Sequence, residues 1–302
     1  MKALYELVGT TKQALHKFNR VRDEVRLNQL KLIQQATAIR KRHPQLGCRS
    51  MYYLVKDPDF GRDECEQILL ANGFRIKRKP NFIKTTISQR THKFPNLIRG
   101  LEIQGINHVW QTDITFFIVE GMKVLYLIFI IDIYSRRIIG HTANDHMRGE
   151  ANVACLEMAL KTREGYDLSK LIHHSDGGSQ HVFKQYLELL KPFKISMSKE
   201  AWQNAYIERI NGTIKNDYLK HRNIQCLCDL RKHLDKDIYA YNNERPHKSL
   251  PGKMSPIQFE EYLKRIPKTQ HPMLKIYDHE KVEKRSELTL TQNEMETLFR
   301  FP

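Results

Sequence analysis

The sequence predicts an α/β protein in which a mixed five-stranded sheet with flanking helices follows a small, basic, helix-turn-helix-like domain. Three observations predict it. Between residues 107 and 241 the hydrophobic period switches repeatedly between that of a strand and that of a helix, in the order βββαβαβαα. At 302 residues, with 40% hydrophobic and 28% charged side chains and no Gly-, Pro- or Ser-rich tract, the chain has the size and composition of about two globular domains. Its charge is also uneven. Lys and Arg number 50 against 34 Asp and Glu, a net +16, and about +12 of that lies in residues 1–94.

The N-terminal third reads as helices. Residues 4–8 and 11–18 flank Gly9 as a helix-turn-helix-like pair, and residues 21–42 place Leu27, Leu30, Ile33 and Ala36 at helical spacing. Pro44 and Gly47 interrupt the chain. Two short helices follow, residues 48–56 and 62–70, the second closed by Asn72-Gly73 and leading into the basic run Arg75-Ile76-Lys77-Arg78-Lys79. This divides the first third into an N-terminal helical segment (1–35), a small basic domain (36–84) and an aperiodic basic linker suited to phosphate contact (85–106).

From Trp110 the chain alternates as a strand, with Trp110, Thr112, Ile114, Phe116 and Ile118 on one side and Asp113 on the other. Glu120-Gly121 turns it into residues 123–131, apolar on both faces as a central strand is. Residues 137–142 form a third strand and residues 149–161 a helix with Val153, Leu156 and Leu160 on one face. Next come a strand at 171–174 ending near Asp176, a helix at 182–191, a strand at 194–198, and helices at 201–219 and 227–241. These elements and their closing segment make a core of residues 107–262, with 263–302 as a mixed-charge tail.

Several function classes drop out. The longest apolar run, residues 124–131, is far short of the roughly 20 residues a membrane span requires. The N-terminus lacks a signal-peptide pattern, so the expected location is the cytoplasm. Five cysteines without disulfide-framework or zinc spacing read as reduced thiols. The positive excess instead matches a polyanionic partner, nucleic acid above all.

Three carboxylates need a chemical explanation. Asp113 sits inside the first strand of the core, Asp176 follows the fourth in Ser175-Asp176-Gly177-Gly178, and Glu208 lies inside a long helix. The first and fourth strands can be neighbours in such a sheet, with the helix packed over them. Clustered carboxylates repel one another and are costly to bury unless cations neutralise them, and Mg²⁺ takes hard oxygen ligands of this kind. On the helix, Ile207, Ile210, Ile214 and Tyr218 form an apolar stripe, while Asn204, Glu208, Asn211 and Lys215 share the opposite side at i, i+4, i+7 and i+11. That face suits an approaching DNA backbone, or simply solvent.

Trp110-Gln111-Thr112-Asp113-Ile114-Thr115, His174-Ser175-Asp176-Gly177-Gly178-Ser179-Gln180, and Asn204-Ala205 followed by Glu208 resemble the DDE transposases of bacterial insertion sequences, which share the retroviral-integrase catalytic core. Tyr241-Asn242-Asn243-Glu244-Arg245-Pro246-His247-Lys248-Ser249-Leu250 and then Ser255-Pro256 match the segment closing that core, and the resemblance covers about residues 36–262. An ordered series of motifs is far more specific than one motif. The resemblance implies a ribonuclease-H-like fold, Asp113, Asp176 and Glu208 as a catalytic and metal-binding triad, and two Mg²⁺ ions for which Mn²⁺ substitutes. It also implies that Lys215 contacts DNA near the scissile phosphate. Asn204, Asn211, Arg245, His247, Arg75, Lys77, Arg78 and Lys79 are further candidate DNA contacts, Arg245 having a structural ion pair as its alternative.

The implied partners are double-stranded DNA, at element ends and target, and further copies of the chain on that DNA. The family often joins an upstream frame to a downstream one; this chain resembles the downstream product, which makes the upstream product another partner. The implied location is the bacterial cytoplasm, at the nucleoid when DNA is bound. One departure is that thirty-one residues separate Asp176 from Glu208, fewer than is usual in the family. Two other readings share the fold: a non-catalytic DNA-binding regulator or inactivated relative, and a ribonuclease or repair nuclease.

Overall fold

The computed structural model describes Tyr5 and residues 9–56, 58–76, 94–119, 124–198 and 201–276. These form two compact units that are not consecutive in sequence. The described parts of Met1–Thr85, Thr213–Asn223 and His233–Ser255 make the first, and those of Thr86–Gly212, Ile224–Lys232 and Pro256–Pro302 the second. Residues 213–223 and 233–255, which lie within the expected core of 107–262, group with the N-terminal part.

In the first unit, helix α1 (Lys12–Arg42) is continuous. Thr11 starts it by accepting a 3.1 Å hydrogen bond from the Ala14 N–H, and Arg40, Lys41 and Arg42 suit the negative end of its dipole. The boundary expected at residue 35 falls inside this helix, and no turn divides it at residues 18–21. Its Leu32, Ala36 and Ile39, spaced four and three apart, bury against α2 (Cys48–Met51) and α3 (Arg62–Ala71) through Cys48, Met51, Cys65 and Leu69. Each large apolar side chain buried this way contributes about 1.5–3 kcal/mol. Arg40 closes the cluster by donating to the carbonyls of Pro44, Leu46 and Phe74.

The same unit contains a buried polar cluster. Tyr218 Oη lies 2.8 Å from His43 Nδ1, and His43 Nε2 lies 3.2 Å from Glu244 Oε2. Because Nε2–H must serve the carboxylate, Nδ1 accepts the Tyr218 hydroxyl. Burial holds the His43 imidazole down at about 4, against the pull of Glu244, so it is neutral in the folded protein.

The second unit is built on a sheet of order β4-β3-β2-β5-β6, from β2 (Val109–Phe117), β3 (Leu125–Asp132), β4 (Ile138–Asn144), β5 (Ile172–Ser175) and β6 (Lys194–Met197). The first three pair antiparallel, and β2–β5 and β5–β6 pair parallel. β3 is buried along nearly its whole length, in keeping with its unbroken apolar run. Helix α4 (Gly149–Thr162) packs so closely on β4 that a Cβ at Gly140 would sit 2.4 Å from the Cys155 carbonyl oxygen, so only glycine fits there. Helices α5 (Lys184–Leu190) and α6 (Ala205–Thr213) follow in the order expected; α7 (Leu227–Asn243) contributes residues to both units.

Two expected boundaries move. Residues 94–106 of the expected linker are folded. The Met197 N–H donates to the Pro95 carbonyl, the Leu97 N–H donates to Ser196 Oγ, and β1 (Glu102–Ile103) pairs with β7 (Leu274–Lys275). The first two of these bonds lie at β6, the edge strand of the five-stranded sheet, and give the Met197 N–H a backbone partner there. The expected tail likewise begins inside helix α8 (Pro256–Arg265), and Leu263 and Ile276 are buried. Residues 77–93 and 277–302 lie outside the described residues.

Glu260 of α8 is 2% exposed and receives Arg163, Arg137 and Ser135 Oγ, while Asp132 accepts the Asn107 and Tyr134 N–H groups. Arg163 lies within 3.5 Å of Asp132 as well, so one buried guanidinium serves two buried carboxylates. Removing one member leaves charge uncompensated in low dielectric. Arg163→Met is expected to cost about 3–5 kcal/mol, read as a fall in the urea midpoint. The His43 imidazole takes up a proton near 6.5 when unfolded and near 4 when folded. Stability must therefore rise with pH across that window and be lost as the pH falls through it; His173, lowered to about 3 by burial, acts in the same direction. Thermal midpoints recorded from pH 7 down to pH 5 should decline steadily.

Candidate active site

The parallel pairing of β2 with β5 matches Val109 with Ile172, Trp110 with His173 and Gln111 with His174. Asp113 and Asp176 each lie two residues beyond the last matched pair, Asp113 inside β2 and Asp176 just past the end of β5. Period two also places Gln111 and Asp113 on one face of β2.

Helix α6 is moored to that face. The Ile207 N–H donates to Gln111 Oε1 at 3.2 Å, and Gln111 Nε2 donates to the Gln203 carbonyl at 3.4 Å. Asn204 Nδ2 donates to the Thr112 carbonyl at 3.4 Å, and Asn211 Nδ2 donates to Asp113 Oδ2 at 2.7 Å. Asn204 and Asn211 lie one turn before and one turn after Glu208, so the helix segment bearing Glu208 is tied to Thr112 and Asp113. Asp176 Oδ1 accepts the Gly178 N–H at 3.1 Å and lies 3.2 Å from His181 Nε2.

Asp113 and Asp176 are half-buried and Glu208 is exposed. Their side chains do not gather into one cluster: among the described residues, no three His, Cys, Asp or Glu side chains are placed to hold a metal ion together. Side-chain partners already engage the two aspartates, Asn211 on one and His181 beside the other, as expected for anions that repel one another.

The expected DNA contacts divide. Asn204 and Asn211, expected on a DNA-facing side, are 3% and 5% exposed. A buried amide must find partners, and theirs are on β2. The Arg245 guanidinium donates to Asp217 Oδ2 at 2.6 Å and to Tyr218 Oη at 3.4 Å, inside the first unit, an ion pair of the kind given as its alternative role. His247 packs edge-on against Tyr241, with its N–H donating to the Met254 carbonyl. Lys215 is half-buried in a π-helical turn, Ile214–Tyr218, that belongs to the first unit. The i+7 relation to Glu208 presupposed an unbroken α-helix, and the wider π turn ends that spacing. Arg75 is exposed; Lys77, Arg78 and Lys79 lie outside the described residues.

The sequence reading did not single out Gln111 or His181. A lone amide two residues before Asp113 in an otherwise apolar strand was the available signal for Gln111. His181 lies one residue past the His174–Gln180 motif and carried no periodic signal.

Comparison with known proteins places these features in a family. Two integrase core domain models match the chain, at residues 104–203 and 193–256. A 31 kDa protein of insertion element IS600 from Shigella sonnei is 32% identical over 212 residues, spanning 67% of this chain and 75% of that protein. The chain belongs to the insertion-sequence transposases with an integrase core domain. The transposase of insertion sequence element IS904 from Lactococcus lactis is 30% identical over 200 residues, covering 64% of this chain and 76% of its own length. Among solved structures, the HTLV-2 integrase catalytic core domain in complex with magnesium is 18% identical and covers 55% of this chain and 99% of its own, with a TM-score of 0.39. As a member of this family the transposase is a polynucleotidyl-transferase-type enzyme of DNA transposition and recombination.

The mooring of α6 is open to direct measurement. Asn211→Leu keeps the volume but removes the donor to a charged acceptor, and should lower stability by about 1.5–3 kcal/mol in urea unfolding.

Proposed function

We propose that this transposase cleaves and joins DNA strands at insertion-sequence ends, with Asp113, Asp176 and Glu208 as the ligands of two divalent cations. The observation that carries the reading is the parallel pairing of β2 with β5, from whose last matched residues, Gln111 and His174, Asp113 and Asp176 each lie two residues on, with the Glu208 segment of α6 tied to β2 by Asn204 and Asn211. The donor set fits a hard cation: it is carboxylate oxygen throughout, and all three groups reach solvent. Mg²⁺ is the expected ion and Mn²⁺ its substitute. Bound there, such ions supply a polarised nucleophile and a stabilised leaving oxygen for phosphoryl transfer.

The chain's own residues do the placing. The carboxylates act as ligands and carry no proton. Asn211 and the Gly178 N–H each donate to an aspartate oxygen, which helps set where each carboxylate points. End cleavage and strand transfer use the same groups and differ in the nucleophile, water in one and a DNA 3′-hydroxyl in the other. Arg75 and the basic run after it supply phosphate contacts that hold DNA without reading its sequence. Several copies of the chain assemble on the DNA so that two element ends are joined to one target.

Incubation with labelled element-end DNA and Mg²⁺ or Mn²⁺ tests this. The wild-type chain should yield nicked and joined products. Asp113→Asn, Asp176→Asn and Glu208→Gln should each reduce them roughly a hundredfold or more, with DNA binding in a mobility-shift assay retained. DNA binding without nicking by the wild-type chain, indifferent to Asp176→Asn, would identify a regulator instead.

A further inference from the structure

Behind Asp176 stands a buried histidine that the mechanism above does not use. His181 is 2% exposed and lies in a short 3₁₀ turn, Ser179–Val182. Its Nε2 is 3.2 Å from Asp176 Oδ1, the same oxygen that accepts the Gly178 N–H, yet it makes no bond of good hydrogen-bond geometry among the described residues. Its Nδ1 lies 3.4 Å from Asn152 Nδ2, and Asn152, in α4, is 1% exposed. The ring packs on Tyr186, 5.9 Å between centroids, and the Tyr186 hydroxyl lies 2.6 Å from His173 Nε2.

These contacts decide the state of the imidazole. An amide N–H aimed at Nδ1 makes that nitrogen the acceptor, so a neutral ring carries its proton on Nε2, the nitrogen facing Asp176. The approach of α4 makes this possible. A Cβ at Gly149 would lie 2.3 Å from the Phe183 ring, so glycine lets the start of α4 close on the segment that contains His181. A buried N–H left without a partner 3.2 Å from a carboxylate oxygen gains a hydrogen bond once that carboxylate turns toward it, which favours one orientation of the carboxylate.

We propose that His181 is a positioning residue for Asp176: Asn152 sets its tautomer, and its unpartnered Nε2–H becomes the hydrogen-bond donor to Oδ1 when the carboxylate turns to meet a divalent cation, fixing a single orientation. This rests on Asp176 being a cation ligand. Hydrogen-bond partners of ligating carboxylates commonly matter about 10–100-fold in metal affinity. His181→Phe keeps the packing on Tyr186 and deletes the donor. His181→Gln keeps an N–H. Asn152→Leu removes the donor to Nδ1 and leaves the histidine in place.

The test titrates the full chain with MnCl₂ and reads two responses, the rise in thermal midpoint without DNA and the nicking of element-end DNA. His181→Phe and Asn152→Leu should each raise the Mn²⁺ concentration for half effect roughly tenfold in both readouts, with DNA affinity unchanged, and His181→Gln should stay within about threefold of wild type. Wild-type Mn²⁺ dependence in both His181→Phe and Asn152→Leu, alongside loss of the metal response in Asp176→Asn, overturns the proposal and leaves the role of Asp176 standing. A metal response that survives Asp176→Asn overturns both. Should His181→Phe not fold, Asn152→Leu decides by the same comparison.

Discussion

The parallel ladder between β2 and β5 is the constraint on which the candidate site depends. It brings together two stretches more than sixty residues apart in the chain. The register of that ladder cannot slip, because a shift of one residue would turn the Trp110 side chain out of the core and the Asp113 side chain into it. Carboxylate placement is therefore secured by apolar burial on the opposite face, where Trp110, Ile128 and Ile130 pack with Cys155 and Leu156 of α4.

The second dependence is polar. A helix that carries an exposed acid over a sheet has little apolar reason to hold one rotation, and here Gln111, Asn204 and Asn211 supply that reason. Each is an amide whose bonds are directional and whose burial would be costly without partners. Ile207 and Ile210 provide the adhesion, the amides provide the angle, and the position of Glu208 follows from both. Farther from the site, Arg163, Glu260, Arg137 and Asp132 apply the same logic with full charges, tying α8 to the sheet.

Residues expected to meet DNA turned out to be of two kinds. Asn204, Asn211 and Arg245 are consumed by the fold, whereas Arg75 is exposed. Polar side chains at helical spacing look alike in a sequence whether they face solvent or the margin of a sheet. Only the position of the neighbouring strand separates them.

Hydrophobic period sufficed to read every strand of the sheet and most helices within a few residues, because alternation and 3.6-residue spacing are local properties of the chain. That the first and fourth strands can be neighbours was allowed by the sequence, and the β2–β5 ladder pairs them. Whatever rests on contacts between distant segments was not legible. Helix α1 runs through the expected division at residues 18–21 and the boundary at residue 35, the residues after Gly212 join the N-terminal part, and His181 meets Asn152 and Asp176 at once. These arrangements are settled by desolvation and hydrogen-bond satisfaction summed over the folded chain, and no window of neighbouring residues contains that sum.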